Sequence, residues 1–364
     1  MNLLITMKLS DLNLRNHIYP LTKIDEVDTI LIVRDTIGPS VDKVKYYCPP
    51  TWSVKIYPIG LFIKFLYLLY LSLKYKPKLV LGYLLFPHGM LAYIIGKLTR
   101  KRVGVNLIAG PVEFFEPGSP IEKYAYTRPL PELSLYGLFV RHIAKRMDII
   151  IVNGTYTKSF LEKIGINKEK IFILYKPMEN NFIQTSIPKV IDVLFLGRLA
   201  KVKHVETVIH STYLAKKVIP DIKVAIVGDG PEYTNLVNLS DSLDLSNTIV
   251  FYGWKKDPWN WINKSKINLL TSEREGFPQS VMQSLHCGVP VVSSMCGDVT
   301  DIIQTGYNGI LIRDYNDVES FATSIIWLLQ NPDILHDYSN NSIKTVTERI
   351  TMSAAQDIWM EIIP

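Results

Sequence analysis

Apolar positions along this chain fall in short unbroken runs separated by longer mixed segments, and the contrast is sharpest in the second half. Residues 193–196, 223–227, 248–251, 267–270 and 289–292 are such runs, while 205–219 and 233–243 carry the spaced apolar positions of helices. Runs without polar alternation predict strands covered on both faces, because a parallel sheet flanked by crossover helices leaves neither face to water. The first half repeats the rhythm less regularly, at 29–33, 79–81, 102–105 and 148–152. Between the halves a turn-rich stretch over 176–181, ending near Pro188, reads as a linker. The pattern predicts an α/β chain of two Rossmann-like domains facing across a cleft, with ligands beyond the carboxyl ends of the strands.

Composition narrows the class. With 364 residues, 48% hydrophobic and 20% charged, the chain can fill two cores and is neither a peptide-sized module nor a disordered polymer. Three scattered cysteines, Cys48, Cys287 and Cys296, make no disulfide framework and no paired zinc motif. The apolar start is too short for a signal peptide, so a cytoplasmic protein is expected. Charge is divided unevenly: residues 1–180 carry a net +11 and residues 181–364 a net −5. A basic first half suggests an anionic partner there. No nucleic-acid motif accompanies it, and no nucleic-acid partner is expected.

Residues 59–73 are almost all apolar, with Lys64 the one charge, and are rich in aromatic rings. As a helix they would rise about 22 Å, short of the roughly 30 Å hydrocarbon core. Two readings stay open: a helix packed on the first sheet, or a patch lying peripherally on an anionic membrane, at its inner face, with Lys74, Lys76 and Lys78 beside it.

Candidate chemistry follows two strands of the second half. Gly197-Arg198-Leu199-Ala200-Lys201-Val202-Lys203-His204 runs into a helix, which puts Lys203 near a helix N-terminus where the dipole disfavours a cation. A diphosphate between Arg198, Lys203 and the helix N–H groups would resolve that conflict, whereas the bland reading is two solvated cations on a loop. The segment from Ser272 to Pro290 follows the run 267–270. In it Pro278 suits a first helical position, Gly288 a helix end, and Gly276 a close approach of ligand to backbone. Glu275 can accept bonds from sugar hydroxyls or simply cap the helix. Gln283 can hold a second hydroxyl-bearing group, and the turns of Gly276, Phe277 and Pro278 lie between the two.

Gly197-Arg198-Leu199 with Lys203, Gly228-Asp229-Gly230-Pro231, Phe251-Tyr252-Gly253, Ser272-x-x-Glu275-Gly276-Phe277-Pro278 and Cys287-Gly288-Val289-Pro290 occur in the order of a known family. Over about residues 190–312 the chain resembles the family-4 retaining glycosyltransferases of the GT-B fold. The resemblance implies a nucleotide-sugar donor held by the second domain and an acceptor, a glycan or lipid-linked sugar, held by the first. It implies that Arg198 and Lys203 bind the donor diphosphate and Glu275 the transferred sugar, with Gly253 and Trp254 by the base. It also implies a division at 1–182, 183–350 and 351–364, the last helix returning to the first domain.

Three positions depart from the family pattern. Gln283 replaces the second carboxylate of the E-x(7)-E pair, His204 stands where glycine is common, and Ala109-Gly110 replaces a His-Gly. Phe86-Pro87-His88-Gly89 resembles the family's Pro-x-Gly turn and puts His88, with Gly110, on the acceptor side, although a turn histidine is the plainer reading. No D-x-D occurs, so no metal and no other cofactor is expected, Arg198 and Lys203 taking the place of a cation. A decayed sugar-nucleotide-binding or scaffold subunit and a nucleotide-sugar epimerase of the same shape are the alternative functions.

Overall fold

The unalternating runs become strands of two parallel sheets. In the computed structural model, which describes residues 1–115, 135–178 and 187–363, the chain divides into two units, Met1–Met178 with Ile350–Pro364, and Glu179–Arg349. The sequence-based division at 182/183 lies in 179–186, outside the described residues.

Seven strands form the first sheet: β1 (Asn2–Thr6), β2 (Thr29–Val33), β3 (Val44–Tyr47), β4 (Leu79–Tyr83), β5 (Arg102–Asn106), β6 (Ile149–Val152) and β7 (Ile171–Ile173). Their order is β3-β2-β1-β4-β5-β6-β7, all parallel. Successive residues point to opposite faces, and both faces are covered. Leu3, Ile5, Ile30 and Ile32 join Leu14, Ile18 and Trp359 from the helices Asp11–Thr22 and Met352–Ile362. Leu4, Leu31 and Val33 join Leu68, Leu71, Leu91 and Ile95 from the helices Tyr57–Tyr75 and Met90–Thr99.

The second sheet has six strands: β8 (Ile191–Leu196), β9 (Val224–Val227), β10 (Ile249–Gly253), β11 (Ser265–Leu270), β12 (Val291–Ser294) and β13 (Gly309–Ile312), in the order β10-β9-β8-β11-β12-β13. Val193, Phe195, Ile226 and Leu269 share a core with Val208 of the helix Val205–Lys216 and Phe321 of the helix Val318–Gln330. Each unit is thus a Rossmann-like α/β layer structure, as the sequence pattern predicts.

Some boundaries differ from expectation. β12 starts two residues later than the run at 289 because Pro290 has no N–H for the ladder, and only its carbonyl is used, by Asn268 N at 3.1 Å. The apolar helix is longer than 59–73. Pro58 sits in its first turn and Lys76 ends it in the left-handed conformation, giving 19 residues, Tyr57–Tyr75. At roughly 28 Å it is long and apolar enough to cross a bilayer by length and composition alone, which corrects the estimate of 22 Å. Of its two charges, Lys74 lies in the last turn, and Lys64 is buried against the sheet and paired with Asp35 at 2.6 Å.

Candidate functional site

In the second sheet the strand order reverses between β8 and β11, so the loops leaving these neighbours diverge at their carboxyl ends and open a crevice, the usual ligand position of such sheets. The loop after β8 carries Gly197, Arg198 and Lys203, and the loop after β11 carries Thr271 to Pro278. Backbone and side chain join them: Glu273 N donates to Val202 O at 2.9 Å, and Thr271 Oγ1 to Lys203 O at 2.8 Å. Lys203 Nζ then meets Glu275 Oε1, which also accepts from Ser272 Oγ at 2.9 Å. Both members of the ion pair keep some exposure to solvent.

Local conformation sets this geometry. Lys201–Lys203 is a single 3-10 turn, and His204 follows at φ 45° as the N-cap of the helix Val205–Lys216, without a side-chain cap bond. A left-handed residue other than glycine costs roughly 1–2 kcal/mol. The imidazole offsets that cost through contacts, its ring centroid 4.2 Å from that of Tyr315 and its Nδ1 3.1 Å from Glu206 Oε1.

Glycines let the neighbouring loops approach. A Cβ at Gly228 would fall 1.7 Å from Gly197 O, and one at Gly230 2.2 Å from Leu199 O. The loop after β9 therefore lies on the loop after β8, with Leu199 N donating to Asp229 O at 3.0 Å. On the other side Gly297, at φ +56°, brings its backbone under Glu275, where a Cβ would be 2.0 Å from the carbonyl oxygen, and Asp298 N donates to Gly276 O at 3.0 Å. Cys296 lies close by. Burial, and then the charge of Glu275, push its thiol up to about 12, so it stays neutral.

Gly197, Arg198, Lys203, Glu275 and Gly276 come together on adjoining loops. Gly253 and Trp254 lie at the end of β10, two strands from β8, joined through Gly228 N to Gly253 O at 3.0 Å; Trp254 is 71% exposed. Phe277 is half-buried, and Pro278 is the N-cap of the helix Gln279–His286 rather than its first residue, one position earlier than expected. Gln283 is buried in the middle of that helix. Ser272 was named in the sequence as the first residue of the Glu275 motif, but Thr271 and Gly297 were not singled out. Their polar or glycine character was visible, but their partners are distant in sequence.

His88 and Gly110 belong to the first unit. There the strand order reverses between β1 and β4, and His88, in the turn after β4, shares a 2.9 Å hydrogen bond with Thr6 at the end of β1. The imidazole is buried, and desolvation, aided by Lys64 and Lys8, holds its pKa well below the ordinary value. Gly110, at φ 67°, opens a 3-10 turn that sends Glu113 inward. Glu113 Oε2 accepts from Leu85 N at 2.6 Å and Oε1 from Ala109 N at 2.8 Å. Burial raises its carboxyl to about 7 against the opposing pull of these amides. Sequence reasoning missed Glu113 because nothing in its spacing marks a buried acid.

Residues 177–345 match the family described as Glycosyl transferases group 1. Relatives include an N-acetyl-alpha-D-glucosaminyl L-malate synthase of Bacillus anthracis, 28% identical over 43% of this chain and 41% of that protein. An uncharacterized glycosyltransferase of Methanocaldococcus jannaschii is 26% identical over 72% of this chain and 68% of its own length. A lipopolysaccharide 1,6-galactosyltransferase of Escherichia coli is 28% identical over 44% and 46%. The chain thus spans under half the length of two of these three relatives. Among solved structures, HepE of Anabaena in complex with UDP-glucose superposes with a TM-score of 0.76 at 16% identity, covering 100% of this chain and 99% of that one. Sucrose-phosphate synthase from Thermosynechococcus elongatus does so at 0.75 and 15%, covering 100% and 98%. At such identities the likeness is one of fold, and the fold is GT-B.

Proposed function

We propose, from the group 1 glycosyl transferase domain at residues 177–345 within a GT-B chain, that this protein transfers a sugar from a nucleoside-diphosphate sugar to an acceptor hydroxyl with retention of anomeric configuration. The carrying observation is the ion pair of Lys203 with Glu275 at the reversal point of the second sheet, beside Arg198. A cation and a carboxylate that, among the described residues, are bonded through their side chains to each other and to a serine hydroxyl can exchange partners when a ligand brings both phosphate and hydroxyl groups. Lys203 then moves to the diphosphate with Arg198, and Glu275 turns to the sugar.

The anomeric carbon's bond to the phosphate oxygen breaks as its bond to the acceptor oxygen forms, and the acceptor proton passes to the departing phosphate. Negative charge grows on the diphosphate during this step, where Arg198, Lys203 and the helix N-terminus at Val205 oppose it. In this reading the two side chains take the part a bridging metal plays elsewhere. The first unit presents the acceptor, a glycan or a lipid-linked sugar of surface polysaccharide assembly, with His88 and Gly110 on its side.

A thermal-shift screen across UDP-, GDP- and ADP-sugars tests the reading. The true donor at a hundred times its dissociation constant stabilises the protein by about 2.7 kcal/mol. Lys203→Ala should lose that shift, and equal shifts in the two proteins overturn the phosphate role. UDP-sugars come first because the HepE complex holds one. Stabilisation without sugar release or transfer would favour the scaffold subunit, a reading to which Gln283 and Ala109 lend weight.

A further inference from the structure

The helix Tyr57–Tyr75 presents two apolar faces, and among the described residues only one of them has a partner. Leu68 and Leu71 pack into the sheet, Lys64 turns inward to Asp35, and Ser72 Oγ meets Thr99 Oγ1 at 2.7 Å on the neighbouring helix. On the opposite side Phe62 is 60%, Leu66 46%, Tyr70 52% and Leu73 60% exposed. With 100° per residue these four and Ile59 fall within an arc of roughly 80°. The outward stripe carries no charge between Tyr57 and Leu73, because Lys64 is the one charged residue in that span. A soluble surface rarely gathers so many large apolar side chains without a function.

Charge identifies what would cover it. Residues 43–112 contain eleven Lys and Arg and no Asp or Glu. Lys74 and Lys76 are exposed at the carboxyl end of the stripe, and Lys97 and Arg100 at the end of the helix Met90–Thr99, which the Ser72–Thr99 bond ties alongside. An apolar stripe with cations at one end, within a segment that has no Asp or Glu, matches an anionic bilayer surface, whose headgroups meet the lysines while the acyl boundary takes the rings. We infer that the first unit docks on anionic membrane with the helix Tyr57–Tyr75 lying in the interface rather than crossing it. Its length would permit a crossing, but Lys64–Asp35 and the packed face of Leu68 and Leu71 bind it to the sheet. This inference stands apart from the donor reading, since its test measures partition and not transfer.

The full chain is floated with vesicles of phosphatidylcholine alone or mixed equally with phosphatidylglycerol. Binding to the mixed vesicles that weakens in salt, and is released by carbonate, is the expected result. Lys74→Gln with Lys76→Gln should weaken it on the order of twentyfold, at roughly fivefold per lysine. Phe62→Ser with Leu66→Ser and Leu73→Ser should abolish it while thermal unfolding stays unchanged; should that variant not fold, the lysine pair decides. Equal binding to both vesicle types, full binding by the lysine pair, or carbonate-resistant protein overturns the inference. So does a concentration-dependent dimer of wild type that the serine variant dissolves without change in partition.

Discussion

Both sheets reverse their order at corresponding places, yet the groups found there differ in kind. Between β8 and β11 a lysine and a glutamate touch with solvent still in reach, and glycines hold the adjoining loops backbone against backbone. Between β1 and β4 the occupants, Thr6 and His88, are buried and bonded to each other, and Glu113 close by is sunk among backbone amides. Solvent-accessible charge can trade one partner for another, whereas a buried, desolvated group holds its loops in place. Topology alone therefore does not assign chemistry to a reversal point. Charge and access do.

Mutation can break this contrast, and the largest effect should come from the accessible pair. Lys203→Ala is expected to lower transfer by roughly a hundred- to a thousandfold. Its cost to stability should be smaller than that, roughly 1–3 kcal/mol, for leaving the largely buried Glu275 without its cation. Near-normal turnover would put the chemistry elsewhere. Next, Gly228→Ala should destabilise the second unit by roughly 3 kcal/mol, since the new Cβ would meet Gly197 O and the loops must part. Unchanged denaturant midpoints would mean that these loops are not rigidly stacked.

The buried acid should show itself in pH dependence. The folded protein holds the Glu113 proton more tightly than the unfolded chain, so the associated stabilisation is full below the ordinary value of 4.5 and is lost as pH rises through about 7. Wild type should lose about 3 kcal/mol across that window, and Glu113→Gln should lack this part of the slope. Identical pH profiles would count against a sunken carboxyl. The smallest effect is expected at Gly253, whose Cβ would meet nothing within 4 Å. There Gly253→Ala should cost only about 1 kcal/mol, the penalty of a positive φ. A loss as large as that at Gly228 would show that open space was misjudged.

Much of the second unit was legible because its strands are unalternating runs and its loops carry glycine and charge at their ends. The helix starts at 205 where the pattern puts it, and the strand expected over 193–196 is there, beginning two residues earlier at Ile191. β7 is too short, and β3 too mixed in character, to stand out from neighbouring loops. In the candidate site, Lys203 and Glu275 could be named from the sequence, but their direct contact could not, being 72 residues apart along the chain.

Sequence by itself determined where the strands with long apolar runs and the helices between them form, because periodicity and the demands of Pro and Gly act over a few residues. It also determined the concentration of positive charge in residues 43–112. Tertiary structure alone decided that β8 lies beside β11, that Gly297 passes beneath Glu275, and that one apolar face of the helix Tyr57–Tyr75 is used while the other is left uncovered by the described residues. Strand order and desolvation arise from contacts between distant segments, and no local pattern of residues encodes which of two equally apolar faces the core will take.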